Sequence, residues 1–115
     1  MLRGDIFWVD LEPTRGSEAS DTRPAVLVSN DGANRRADQL GRGVVTVVPL
    51  TSEVSVVYPF QILVPPGRTG LRTRSKAQAE QLRAVDVERV GERIGRAPRD
   101  VLAQLDGAIR LHLGL

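Results

Sequence analysis

The strongest constraint on this chain is a succession of short β-type runs, each closed by turn residues, followed by one helical stripe at the C-terminal end. Residues 6–11 alternate and are rich in β-formers, which predicts a first strand. Glu12-Pro13-Thr14-Arg15-Gly16-Ser17 is turn chemistry, and the loop stays polar to about Thr22. Residues 24–29 form a second, apolar strand. Proline has no N–H to give a ladder, so Pro24 is expected at the first residue of that strand. Residues 30–42 are polar, with a short helical turn over 33–38. Further strands are expected over 44–50 and 59–64, with a weaker one over 77–85. One helical turn over 86–90 and a last short strand over 93–96 follow. After Pro98 the period changes: Val101, Leu105, Ile109 and Leu113 recur every four residues, and Leu102 and Ala108 widen the stripe. Pro98 fits the first helical position, Asp100 the positive end of the helix dipole, and Gly114 stops the helix. The fold class is mainly β with a C-terminal α-helix: a small, strongly curved sheet or partial barrel with the helix packed across it.

The 115 residues make one domain, residues 1–115, large enough for a core and small enough to benefit from a partner subunit. The chain has no cysteine, which removes disulfides, zinc–thiolate sites and cysteine nucleophiles and fits a reducing cytoplasm. Asp5 and Asp10 interrupt the N-terminal apolar run, so no signal-peptide core forms. No stretch reaches the ~18 apolar residues of a membrane span. His112, the only histidine, falls in the expected C-terminal helix, where it reads as structural. Most histidine- and thiolate-based catalytic or metal chemistries are thereby closed.

The net charge of +2 conceals an uneven distribution. Between Arg68 and Arg83 the chain carries Arg68, Arg72, Arg74, Lys76 and Arg83 against one acid, Glu80. Such a segment suits a phosphate-binding face, and a solvated basic loop reads the same way.

Several blocks then follow in a fixed order. They are Arg3-Gly4-Asp5-Ile6-Phe7-Trp8-Val9-Asp10-Leu11-Glu12-Pro13, then Gly16-Ser17-Glu18, then Arg23-Pro24-Ala25-Val26-Leu27-Val28-Ser29-Asn30. Val47-Val48-Pro49-Leu50-Thr51-Ser52, Gly70-Leu71 and Ala79-Glu80-Gln81-Leu82-Arg83-Ala84-Val85-Asp86 come next, before the amphipathic helix. No single block is decisive, but the ordered set resembles, nearly end to end, the MazF/PemK/Kid family of toxin endoribonucleases. The resemblance implies an SH3-like partial barrel of the CcdB/MazF type. It implies a homodimer that binds single-stranded RNA along a groove lined by both subunits. Cleavage would need no metal or other cofactor and would leave a 2′,3′-cyclic phosphate and a 5′-hydroxyl. A cognate, MazE-like antitoxin would block the groove with an acidic disordered tail. The alternative on the same scaffold is a gyrase-binding poison of the CcdB type. That type depends on a tryptophan near its C-terminus, which Leu111-His112-Leu113-Gly114-Leu115 lacks. An SH3-like adaptor would need an aromatic groove, and aromatic residues are only 3% here.

Metal-free RNA cleavage sets three tasks: accept a proton from the 2′-hydroxyl, stabilise charge on the phosphate, and protonate the leaving 5′-oxygen. Arg23 suits the second, because a guanidinium stays charged and offers a planar fork to phosphate oxygens. Without the resemblance it reads equally well as a strand-edge cap or a partner for Glu18. Thr51, at a strand end, can bind the phosphate or orient the 2′-hydroxyl, with Ser52 as a weaker helper. Its bland reading is a cap for the following turn. For the proton acceptor, Glu18 matches a family position tied to activity, on a loop able to close over substrate. Glu80 falls where Kid-type members carry an aspartate in that role, and reads alternatively as a solvated glutamate. Arg72, Arg74, Lys76, Gln81 and Arg83 are candidate RNA contacts, the cations to the backbone. Trp8 reads as core or dimer interface.

Overall fold

The computed structural model describes residues 1–115. Seven strands, β1 (Asp5–Asp10), β2 (Thr22–Leu27), β3 (Val44–Thr51), β4 (Gln61–Val64), β5 (Ser75–Gln78), β6 (Arg83–Asp86) and β7 (Val90–Arg96), form one antiparallel sheet. Two helices, α1 (Asp31–Leu40) and α2 (Arg99–Leu113), complete the fold. The strand order is β4-β5-β3-β2-β1-β7, and β6 also pairs with β3.

β3 is the hinge of this arrangement. Its first half pairs with β6, from Val44↔Asp86 to Val47↔Arg83, and its last residues pair with β5 at Leu50↔Ala77 and Thr51↔Lys76. The partner changes around Pro49. Thr46 O accepts from Val28 N, just past β2, so two-residue alternation turns the Pro49 nitrogen to the other side, toward the change of partner. A residue with no N–H stands where no ladder bond is available.

Because side chains alternate across a strand, the sheet has two apolar faces. On one, Ile6, Val26, Val48 and Leu50 pack with Val101 and Leu105 of α2. On the other, Phe7, Val9, Ala25, Leu27, Val45 and Val47 enclose a second core with Val85 and Val87. The stripe read from the sequence meets the sheet through Val101, Leu105 and Ala108, whereas Leu113 is exposed.

The structure revises several sequence expectations. Residues 31–40 form a full α-helix rather than one turn: Asn30 Oδ1 caps it by accepting from Ala33 N, and Gly41 ends it in the left-handed region. The expected strand over 77–85 is two strands, because a 3₁₀ turn at Ala79–Gln81 separates β5 from β6. β4 begins at Gln61, not at Pro59, and β7 begins at Val90, before Arg93. Pro98 precedes α2 at the cap position with an extended backbone. Pro24 is the third residue of β2, opposite Trp8, not the first.

Two glycines lock the open end of the sheet. At Gly70 (φ +83°) a Cβ would lie 2.4 Å from Ile94 O, and at Gly95 a Cβ would lie 2.0 Å from Thr69 O. Only residues without a side chain allow the turn at Thr69–Gly70 to press backbone-to-backbone against β7. Thr69, fully buried, fixes that turn by donating from Oγ1 to Pro65 O at 2.6 Å.

Candidate active site

A cleft of about 710 Å³ opens where β2 and β3 part. Their ladder runs through Leu27↔Val47 and Val26↔Val48 and stops at Ala25↔Pro49. Val28 N donates to β3 while Leu27 O accepts from Gly4 on the β1 side, so Val26 and Pro24 turn toward β3. The next N–H that β2 would offer β3 is therefore missing, because the residue is Pro24. The strands separate there, and continuing the register two residues places Arg23 opposite Thr51.

Arg23 and Thr51 both line the cleft, as do Ser52 and Arg72. Leu50 and Leu71, shared with the core under α2, form part of its wall. Arg23 is half-buried and donates from Nε to Ser20 O at 2.8 Å, which leaves its terminal nitrogens free of partners in the chain. It does not pair with Glu18. Thr51 Oγ1 accepts from Glu53 N at 3.2 Å. The capping reading of Thr51 is thus realised, and its hydroxyl proton is still free to be donated into the cleft.

The other predicted residues lie elsewhere. Glu18 is exposed on the loop between β1 and β2, its Oε1 accepting from Arg15 N at 2.8 Å. Glu80 accepts from Gln61 Nε2 at 2.7 Å, while its Oε1 is buried without a partner. Lys76 is only 7% exposed and donates to Val56 O at 2.7 Å. Gln81 ties down the loop that carries Glu18: its Oε1 accepts from Ala19 N and its Nε2 donates to Ser17 O. Arg83 donates to Gln81 Oε1 at 3.2 Å. Arg68 pairs with Asp100, and Arg74 is exposed outside the cleft. Of the basic segment, only Arg72 reaches the cleft wall.

Four cleft residues escaped the sequence reading: Trp8, Asp21, Glu92 and Arg93. Trp8 is 44% exposed and faces the cleft instead of the core. Glu92 and Arg93 come from β7, which no motif marked. Between Phe7↔Arg93 and Val9↔Val90 the register slips, so Gly91 and Glu92 both stand against Trp8. Such a bulge turns side chains off the regular alternation. The only sequence trace is Gly91, where a Cβ would sit 3.1 Å from Trp8 O.

Behind the wall, Arg93 and Arg96 donate to Asp5 Oδ1 at 3.3 and 3.0 Å, and Leu2 N donates to Oδ2. Burial pushes the Asp5 carboxyl up, but the Leu2 N–H and the two guanidiniums outweigh it and hold the group below its ordinary value. No group of three or more His, Cys, Asp or Glu side chains converges as a metal site would require, and no helix is long and apolar enough to cross a membrane.

Residues 2–113 match the family model described as PemK-like, MazF-like toxin of type II toxin–antitoxin systems. The chain is 57% identical, over all 115 residues and 98% of the relative, to endoribonuclease MazF9 of Mycobacterium tuberculosis. Among solved structures, it superposes on MazF from Deinococcus radiodurans with a TM-score of 0.81 at 28% identity, covering 100% of this chain and 97% of that one. An endoribonuclease in complex with its cognate antitoxin, from a mycobacterial species, shares the fold with a TM-score of 0.78 at 22% identity, covering 100% and 96%.

Proposed function

Because this chain belongs to the PemK-like, MazF-like toxins of type II toxin–antitoxin systems and is an endoribonuclease of that kind, we propose that it cleaves single-stranded RNA at selected sequences, without metal, in the cleft between β2 and β3. The observation that carries this reading is the placement of Arg23 opposite Thr51 where the ladder stops.

The scissile phosphate lies between these two residues. The adjacent ribose 2′-oxygen loses its proton to a carboxylate and attacks phosphorus, the bond to the 5′-oxygen breaks, and the leaving oxygen takes a proton from water, giving a 2′,3′-cyclic phosphate and a 5′-hydroxyl. Arg23 offers its free guanidinium nitrogens to the non-bridging oxygens as they gain charge; such a donor is typically worth ~10²–10³ in rate. Thr51, its oxygen held by Glu53 N, donates its hydroxyl proton to the phosphate or orients the 2′-hydroxyl, and Ser52 adds a second hydroxyl at the rim. Arg72 binds the RNA backbone, and Arg74 extends that contact outside the cleft. Lys76, Gln81 and Arg83 support the site from behind: Lys76 by holding the loop at Val56, Gln81 and Arg83 by fixing the first loop.

Glu18 accepts the 2′-proton in this reading. To reach the cleft its side chain must leave Arg15 N, at a net cost of roughly 1 kcal/mol per bond broken, and its loop must also shed the Gln81 bonds to Ser17 and Ala19. Asp21 is the second reading, favoured by its place on the cleft wall. Glu80, held by Gln61, orders the neighbouring turn.

The protein acts as a homodimer. Val56, Tyr58, Leu111 and Leu113 are all more than half exposed, and Tyr58–Phe60 stacking with the Phe60–His112 contact brings the Tyr58 segment against the end of α2. An exposed apolar patch of this kind favours a partner surface. Its second partner is a cognate antitoxin whose acidic tail competes with RNA for Arg23 and Arg72.

The test is incubation of the purified protein with a long unstructured RNA in EDTA, with the fragment ends then analysed. Discrete cuts bearing 5′-hydroxyls, labelled by polynucleotide kinase without phosphatase treatment, are expected. 5′-phosphate ends, or activity abolished by EDTA and restored by a divalent metal, would overturn the proposed chemistry.

A further inference from the structure

Phosphate chemistry does not account for the whole cleft. Beyond Arg23 and Thr51 its wall carries an exposed indole and a free carboxylate, Trp8 and Glu92, brought together by the bulge between β1 and β7. Glu92 makes no ion pair within the chain, since its neighbour Arg93 is engaged by Asp5. An unpaired carboxylate repels the RNA backbone, so a place in an RNA cleft needs another purpose. Glutamate accepts hydrogen bonds and donates none, which directs it to the N–H groups of a base. Trp8 supplies the flat surface on which an unpaired base can stack.

We infer that Trp8 and Glu92 form a base-reading subsite that selects guanine beside the cleavage point. This rests on the ribonuclease reading above. Guanine alone carries two adjacent donors, N1–H and N2–H, spaced to meet both oxygens of one carboxylate. Cytosine and adenine set an amino group beside a ring acceptor, and uracil sets one N–H between two carbonyls. Those acceptors face the carboxylate unfavourably. Trp8 provides affinity for any base, Glu92 provides the choice, and Gly91 allows the close approach that aims Glu92 at the cleft.

Cut sites of the wild-type protein are first mapped in a randomised single-stranded RNA pool. Guanine is expected at one fixed position next to the cut. Oligonucleotides carrying guanine or inosine there, inosine lacking the 2-amino group, are then compared. Wild type is expected to prefer guanine by about tenfold in kcat/KM, and Glu92→Gln to bring the ratio to about one. Trp8→Ala should raise KM by about tenfold or more while Trp8→Phe retains most of the affinity. Thermal melting confirms that each variant folds. Trp8 is the only tryptophan, so its fluorescence reports stacking directly: an oligonucleotide made uncleavable by a 2′-deoxy sugar should quench it. Cut sites with no fixed guanine, a guanine preference that survives Glu92→Gln, or unchanged fluorescence on binding would each overturn the subsite and leave the ribonuclease intact. A wild-type protein that cuts no RNA would remove both.

Discussion

Arg23 on β2 and Thr51 on β3 each lie two residues past the last paired position, Ala25↔Pro49, with no backbone ladder between them, and both line the cleft. Pro24 causes this, because its missing N–H falls where β2 would next have bonded β3. A sheet that stayed zipped would leave no room for a phosphate between the two side chains. The same proline that ends the ladder opens the cleft.

If the fork geometry of Arg23 matters as well as its charge, lysine cannot replace it. Arg23→Lys should keep the fold and lose about 10²-fold in kcat. Single-turnover rates on a defined oligonucleotide check this, and a rate within a few-fold of wild type would reduce Arg23 to a point charge.

The two loop carboxylates can be separated. Glu18→Gln is expected to lower kcat by about 10²-fold or more. Asp21→Asn should change kcat only slightly. The opposite pattern would transfer proton acceptance to Asp21, the residue already on the cleft wall.

Glycine substitutions should divide by what a Cβ would meet. Gly95→Ala drives a methyl into Thr69 O and is expected to cost about 3 kcal/mol or more. Gly107 lies in exposed α2 with nothing within 4 Å of a built Cβ. Gly107→Ala should therefore add about 0.5–1 kcal/mol. Urea unfolding midpoints measure both.

Acid stability follows from Asp5. Its carboxyl titrates below the ordinary 3.8 in the folded protein, so the unfolded chain binds the proton first as pH falls. The stabilisation is complete well above 3.8 and is lost as the pH drops below it toward the lower folded value. Denaturation midpoints followed from pH 6 to pH 2 should show this loss, and Asp5→Asn should flatten it while lowering stability at neutral pH.

The sequence carried much of this fold because its information there is local. Loose alternation marked β1, an apolar run marked β2, the four-residue stripe marked α2, and turn residues marked the ends. α1 was underread because its polar residues 31–40 hide behind a good cap, with only Asn34 and Ala37 buried. The site was legible where its residues sit in ordered blocks, as Arg23 and Thr51 do. Asp21 and Glu92 were not, because a cleft wall assembled from a loop and a distant edge strand leaves no contiguous pattern. Of the two places expected for Trp8, core and dimer interface, the core is ruled out, since Trp8 is exposed on the cleft. Only the parting of β2 from β3 shows that its face of the sheet is uncovered.

In the proposed reaction the gap between Arg23 and Thr51 holds the scissile phosphate. The most direct measurement compares cleavage of one long single-stranded RNA in EDTA by wild type, Arg23→Ala and Thr51→Ala, with 5′ ends mapped and RNA binding measured in parallel. Discrete cuts by wild type, losses of about 10²–10³-fold in both variants, and RNA binding retained within about tenfold are expected. Cuts at the same sites and rates in either variant would contradict that placement.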